Sequence, residues 1–339
     1  MDLSSRFPGK ENKGRGQRGQ SRPGSIQLPI CDIDRGGDAP GRIAAEFRAD
    51  CSSPGVPGEP PPAPMRQPPS PDTLVPLLGD SSAPSRRTVK AALLELGAEA
   101  IPALRRAADG PDPVLRARAR QVLIELRRGR GMEQLRELLL DPEAPLEAGL
   151  LAIDEVLGVA DPALDIAGQL DSWAASTVAL LGEDRGSEQA GAALRQVLAG
   201  DAGLTGATND FHNSLHVSLT RTVEDRRGLP LTLCAIYALV GRRAGLDAVL
   251  LPFPAHVLLL IRGETSQQIL DPFSGGTPLT EAACLARLSA LGLAPSARWF
   301  EPSPDAEVIA RQLRNLAAAM RRHGRERDAV DVLALLEHA

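Results

Sequence analysis

"LPLTLCAIYALVGRRAGLDAVLLPFPAHVLLLIRGETSQQILDPFSGG" (229–276) decides the fold, because it sets one strongly apolar helix against two β-rich runs. The helix spans 229–246. Gly228 precedes it, and Pro230 suits its first turn, where a missing N–H costs nothing. Arg242 and Arg243 lie near its C-terminus, and Gly245 can close it. Its apolar residues cover most of the circumference, so it should be a buried central helix. The two runs that follow flank "RGETSQ", the signal of a β-hairpin.

Within the first run, "LPFPAHVLLLI" (251–261), His256 is the one titratable side chain. A two-residue loop at Gly263–Glu264, with glycine first, suits a type II′ turn and places His256 opposite Asp271. Directly opposed residues have Cβ atoms about 4.5–5.5 Å apart. Lengthening the loop by one residue at each end sets Asp271 opposite Leu258 instead. The aspartate is then a diagonal neighbour of His256 on the same face. Both registers supply the ring with an orienting carboxylate, the second half of a Cys-His-Asp or Ser-His-Asp arrangement. A purely structural His–Asp pair has the same sequence.

The 339 residues suffice for two or three domains. A net charge of −5 leaves no overall footprint for nucleic acid and no general attraction to anionic lipid. Aromatic residues make up only 3%, which argues against base-stacking surfaces. Basic residues are almost all arginine; the lysines are Lys10, Lys13 and Lys90. Cys31, Cys51, Cys234 and Cys284 are widely spaced and form no CxxC, so neither a zinc pattern nor a disulfide framework is expected. A reduced, cytoplasmic setting follows. The N-terminus has no apolar signal segment, and no apolar run approaches the length of a membrane span.

Residues 1–71 hold 13 of the 29 prolines and read as a disordered tail. "KGRGQRGQSRPG" (13–24) resembles a short RGG tract, but neighbouring acids offset it, and an ordinary tail is the preferred expectation. Residues 72–143 are helical in pattern and repeat at an offset of 30 residues. Leu93, Leu123 and Ile153 coincide, as do Glu95, Glu125 and Glu155, and Leu96, Leu126 and Val156. Each unit has two amphipathic stretches and a turn carrying Asp and Pro, which marks stacked helical hairpins. These residues resemble HEAT repeats, above all "DGPDPVLRARARQVLIEL". The expected role of so short an array is packing onto the next domain.

"FHNSLHVSLTRTVEDRRGLPLTLCAIYALVGRRAGL", "PFPAHVLLLI", "ILDPFSGGTPLT" and "EVIARQLRNLAAAMRRHGRERDAVDVLALLEHA" together resemble the SirB family of transglutaminase-like proteins. With "APLEAGLLAIDEVLGVADPALDIAGQLDSWA" upstream, the resemblance covers roughly residues 144–339. It implies an α+β, mostly helical chain. A papain-like core over 144–300 has an antiparallel sheet and a buried central helix, and a tetratricopeptide-like hairpin occupies 301–339. It also implies the superfamily's Cys, His and Asp in chain order, with His256 and Asp271 at the last two positions. In active members the cysteine opens the central helix. Counting back from Gly245, that place falls on Pro230, with Cys234 one turn further in and Thr232 between them. A thiol gains little from a helix N-terminus beyond the first turn.

Two functions follow. In one, the domain is a non-catalytic protein-interaction or regulatory module and Cys234 is a small core residue. In the other, Cys234, His256 and Asp271 form an acyl-transfer site of a protease, amidase or transglutaminase. A protein partner is expected, and no cofactor, metal, nucleic acid or membrane. His212 and His216 share a helix face at i, i+4, but no third ligand is near. His323 and His338 are expected to be solvated, as is the run Glu224, Asp225, Arg226, Arg227. "SGG" (274–276) is expected to be a turn, and Cys284 a core residue.

Overall fold

The computed structural model describes residues 69–337, apart from 161–163, 184, 209–213, 255 and 295. The expected tail lies outside the described residues up to 68, as do Cys31, Cys51, His212 and His338. Pro71, the last residue of that expected tail, already opens the first helix.

The chain begins with α1 (Pro71–Leu74), a 3₁₀ turn (Val75–Gly79), α2 (Ala83–Leu96), α3 (Ile101–Ala108), α4 (Pro113–Leu139) and α5 (Leu146–Leu157). The turn residues act as caps. Ser82 Oγ accepts the Ser85 N–H at the start of α2, and Asp112 accepts those of Val114 and Leu115 at the start of α4. Leu93, Leu123 and Ile153, one period apart, are all buried. The two stretches of the second unit are one continuous helix of 27 residues, and "RGRG" does not break it. Gly131 instead permits close packing, since a Cβ there would lie 2.7 Å from the Ala152 carbonyl oxygen of α5.

α6 (Ile166–Leu181), α7 (Ser187–Arg195), β1 (Thr205–Gly206), α8 (Leu219–Asp225) and β2 (Arg227–Gly228) follow; β1 and β2 form a short parallel pair. The helix expected over 229–246 is α9 (Pro230–Arg243). Every residue from Pro230 to Gly241 is buried, as its all-round apolar surface requires. Gly245, at φ +77°, turns the chain out, and the Leu246 N–H closes the end on the Gly241 carbonyl at 2.9 Å.

A four-stranded antiparallel sheet comes next, in sequential order: β3 (Asp247–Leu251), β4 (Leu258–Arg262), β5 (Gln267–Asp271) and β6 (Thr277–Leu279). Arg262 pairs with Gln267 and Leu259 with Leu270, so the β4–β5 loop has four residues. The longer of the two registers is adopted. Gly263 does not take the positive φ that a type II′ turn needs. Its N–H bonds the Ser266 carbonyl at 2.8 Å, and the loop docks on α7 through a 2.7 Å Ser187–Ser266 hydroxyl contact.

Both faces of the sheet are covered, which explains the unbroken apolar run of β4. Leu259, Ile261 and Leu270 join the main core around α9. Leu258, Leu260 and Ile269 pack on the other face with Cys284 and Leu288 of α10 (Glu281–Ala290). α11 (Asp305–Arg322) and α12 (Glu326–Ala334) form the closing helical hairpin.

Polar groups fix these layers. Arg242 clamps Asp305 of α11 bidentately at 2.6 and 2.9 Å, and Arg243 reaches Asp171 of α6 at 2.7 Å and Glu147 of α5 at 2.5 Å. Buried Asp154 of α5 accepts the Leu219 and Thr220 N–H groups at the start of α8, at 3.2 and 2.7 Å. Burial raises its pKa, opposed by these hydrogen bonds.

α11 crosses α5 at Gly149, where a Cβ would lie 2.4 Å from Ile309 Cδ1. Gly149→Ala should therefore destabilise the fold by about 1–3 kcal/mol. Ile309→Val, which removes that methyl, should recover part of the loss when combined with it. Urea denaturation of the single and double variants measures the coupling; additive losses would refute the close crossing.

Candidate functional site

The site is assembled where the sheet meets the turn before β4. Pro252 and Pro254 cannot donate to a ladder. Pro252, Phe253, Pro254, His256 and Val257 lie outside the strands, with the His256 N–H bonded to the Phe253 carbonyl at 3.1 Å. Arg311 of α11 grips the same turn, donating to the carbonyls of Phe253 (3.3 Å) and His256 (3.0 Å). His256 thus precedes β4 rather than lying in it, a correction to the expectation of two opposed strand residues. The contact itself forms: Nε2 lies 2.8 Å from Asp271 Oδ1. The ring stands edge-on to Phe273, with centroids 5.9 Å apart and planes at 87°.

Asp271 ends β5 and is only 1% exposed. Besides the imidazole, it accepts the Ser274 hydroxyl at 3.0 Å and Arg287 Nη1 at 3.0 Å on Oδ2, with the Ser274 N–H at 3.4 Å from Oδ1. Burial alone would raise its pKa. The hydrogen bond and charge of His256, then the hydrogen bonds from Arg287 and Ser274, overcome this and lower it to about 2. The carboxylate is therefore ionised and can only accept, so Nε2 carries the proton of this contact. The expected turn at 274–276 is present: Gly275 and Gly276 have φ +70° and +72°, and the Gly276 N–H returns to the Asp271 carbonyl at 2.9 Å.

Cys234 lies one turn inside α9 and is buried. Its S–H donates to the Val257 carbonyl at 3.2 Å. Among the described residues no hydrogen bond joins it to the imidazole. Burial first, then the charge of Asp271, pushes the thiol well above its ordinary range, against the opposing charge of Arg311. Three residues on, the Tyr237 hydroxyl is buried with no hydrogen-bond partner among the described residues, and burial raises its pKa too. Thr232 is fully engaged: its hydroxyl donates to the His216 carbonyl at 2.9 Å and accepts from Gln312 of α11 at 2.9 Å.

The structure thus joins His256 to Asp271 and brings Cys234 to the backbone beside them. Cys284 is buried on the α10 face of the sheet. His216 sits buried in a 3₁₀ turn (Ser214–Val217), and His323 caps the end of α11. Glu224 and Asp225 pair with Arg221, and the Arg226 guanidinium lies 5.1 Å from the centre of the Trp173 ring. No group of three or more His, Cys, Asp or Glu side chains among the described residues could hold a metal ion. Sequence reasoning missed Arg287, Ser274 and Arg311. Asp-Pro-x-Ser is a legible capping signal for Ser274. Arg287 and Arg311 arrive from distant helices and leave no local trace.

The lowered pKa of Asp271 has a thermodynamic consequence. A carboxylate with a depressed folded-state pKa contributes stability that is complete above its unfolded value near 4 and is lost as pH falls towards about 2. Across that window the native chain should lose about 2 kcal/mol more than Asp271→Asn does. Urea denaturation at a series of acid pH values tests this; parallel curves would contradict it.

Residues 165–314 match the family model described as the Transglutaminase-like superfamily. Two UPF0162 proteins of Xylella fastidiosa are similar over 131 residues, at 31% identity in strain Temecula1 and 29% in strain 9a5c. Each alignment covers 37% of this chain and 47% of the relative, so the chain spans about half the length of the curated relatives it matches. No solved structure matches. No described helix is long and apolar enough to cross a membrane. Residues 165–314, which carry α9, the sheet, His256 and Asp271, are a transglutaminase-like domain.

Proposed function

We propose that this chain is a SirB-type transglutaminase-like protein acting in the cytoplasm as a non-catalytic protein-interaction or regulatory module. HEAT-like helices precede its core and a tetratricopeptide-like hairpin follows it. The observation that carries this reading is the state of Cys234: buried, bonded through S–H to the Val257 carbonyl, and raised in pKa. A thiol nucleophile needs the opposite, an accessible sulfur held as thiolate. Proline at the head of α9 and the saturated Thr232 hydroxyl supply no substitute. In this reading His256 and Asp271 hold the turn before β4 against β5 and α10, or contact a ligand.

The second reading is a Cys-His-Asp acyl-transfer enzyme. It is favoured by the 2.8 Å His256–Asp271 contact, which gives the imidazole an orienting carboxylate. Cys234 would attack an amide carbonyl, His256 would transfer the thiol proton to the leaving amine, and Asp271 would hold the tautomer.

Alkylation distinguishes the two. Folded protein treated with iodoacetamide at about pH 6–7, well below the ordinary thiol pKa, should leave Cys234 unmodified by mass spectrometry and label it only on unfolding. Rapid labelling of Cys234 that disappears in His256→Ala would instead establish the catalytic reading.

A further inference from the structure

Among the described residues, one cluster of charge stands apart from the transglutaminase-like domain. Between the 3₁₀ turn, α2 and α4 lies an open groove of about 340 Å³. Leu78, Ala83 and Val122 give it an apolar floor, and Arg86, Arg87, Lys90 and Arg118 surround it. Arg86 Nη1 donates to the carbonyls of Ser81 (2.6 Å) and Asp80 (2.9 Å). Arg118 Nη1 donates to those of Leu78 (2.5 Å) and Asp80 (3.0 Å). Two guanidinium nitrogens that share the Asp80 oxygen are held within about 6 Å of each other, where like charges repel.

Little neutralises this charge. Among the described residues neither Arg86 nor Arg118 forms an ion pair; Lys90 has Glu125 at 2.6 Å. The Asp80 carboxylate bonds the Ser82 N–H at 2.9 Å and only partly offsets the pair. The remaining N–H groups of each guanidinium fork suit a carboxylate. The carbonyls of Leu78, Asp80 and Ser81 anchor these two guanidiniums, and an incoming anion would offset the charge that the neutral carbonyls leave.

We propose that this groove binds an acidic peptide segment of a partner protein, with its carboxylates on Arg86, Arg87, Lys90 and Arg118 and its apolar atoms on Leu78, Ala83 and Val122. Two features favour a peptide over free phosphate. The groove is an open trough with an apolar floor. The Ser85 N–H at the head of α2 is already taken by Ser82 Oγ, so that donor is withdrawn from an anion. The groove lies outside residues 165–314, so the proposal stands whether or not Cys234 is a nucleophile.

The test is fluorescence anisotropy of fluorescein-labelled hexaglutamate titrated with the full chain at low salt. Saturable binding is expected, weakening when salt rises to about 150 mM. Arg87 is exposed and has no ion-pair partner among the described residues, so Arg87→Glu should leave the fold intact and weaken binding about fivefold. Glu125→Gln, which frees Lys90, should tighten it about twofold, a gain that misfolding cannot mimic. Absence of saturable binding, or affinity that neither substitution moves, would overturn the proposal. So would displacement by inorganic phosphate that chloride of equal ionic strength does not reproduce, since that outcome assigns the groove to phosphate.

Discussion

The structure is governed by the need to cover one helix on every side. α9 is apolar around its whole circumference and buried from Pro230 to Gly241, so no single layer could satisfy it. α5, α6, α8, α11 and the sheet all pack against it. This is why residues distant in sequence share one core, from Leu135 to Leu335. The only charged residues of α9, Arg242 and Arg243, lie at its end and turn this requirement into fixed positions. Their guanidiniums reach three of the surrounding helices through Asp305, Asp171 and Glu147. Cations at a helix C-terminus also complement its dipole.

The same enclosure sorts the ionisable groups. Asp154 and Asp271 are both buried carboxylates, yet burial dominates at the first and not at the second. Asp154 is met only by backbone N–H and hydroxyl groups of the α8 start, whereas Asp271 faces an imidazole and a guanidinium. Neutral dipoles offset part of a desolvation cost; opposite charges reverse it. Cys234 receives neither: its S–H meets a carbonyl, and the nearby carboxylate adds to the penalty. A residue at the chemically suggestive place in the sequence is therefore held as a neutral thiol by the packing that makes its helix central.

Much of this was legible in the sequence because it rests on local signals. The bounds of α9 follow from Pro230, the arginine pair and Gly245, and the helices of residues 72–143 from their turns carrying Asp and Pro and from their period. The His256–Asp271 contact was legible for a different reason: two registers of the hairpin gave the same neighbours. The preferred register still failed. Gly263 has the residue type of a type II′ turn, but its loop docks through Ser266 on Ser187, a partner nearly eighty positions away. Pro252 and Pro254, which cannot donate to a ladder, lift His256 out of β4 despite the apolar run beside them. Arg287 and Arg311 were beyond reach, since each acts only through a tertiary approach.

The continuity of α4 has a mechanical meaning. Its first half supplies Ala119, Val122 and Leu123 to the N-terminal core, and its second half supplies Leu135 and Leu139 to the core around α9. At 1.5 Å per residue, its 27 residues form a strut about 40 Å long. Gly131 seats its second half tightly on α5, and no proline interrupts it after Pro113. Two hairpins joined by a loop would absorb a displacement at that loop. One unbroken helix transmits it, so a load on the outer end of α4 reaches the enclosure of α9 as tilt.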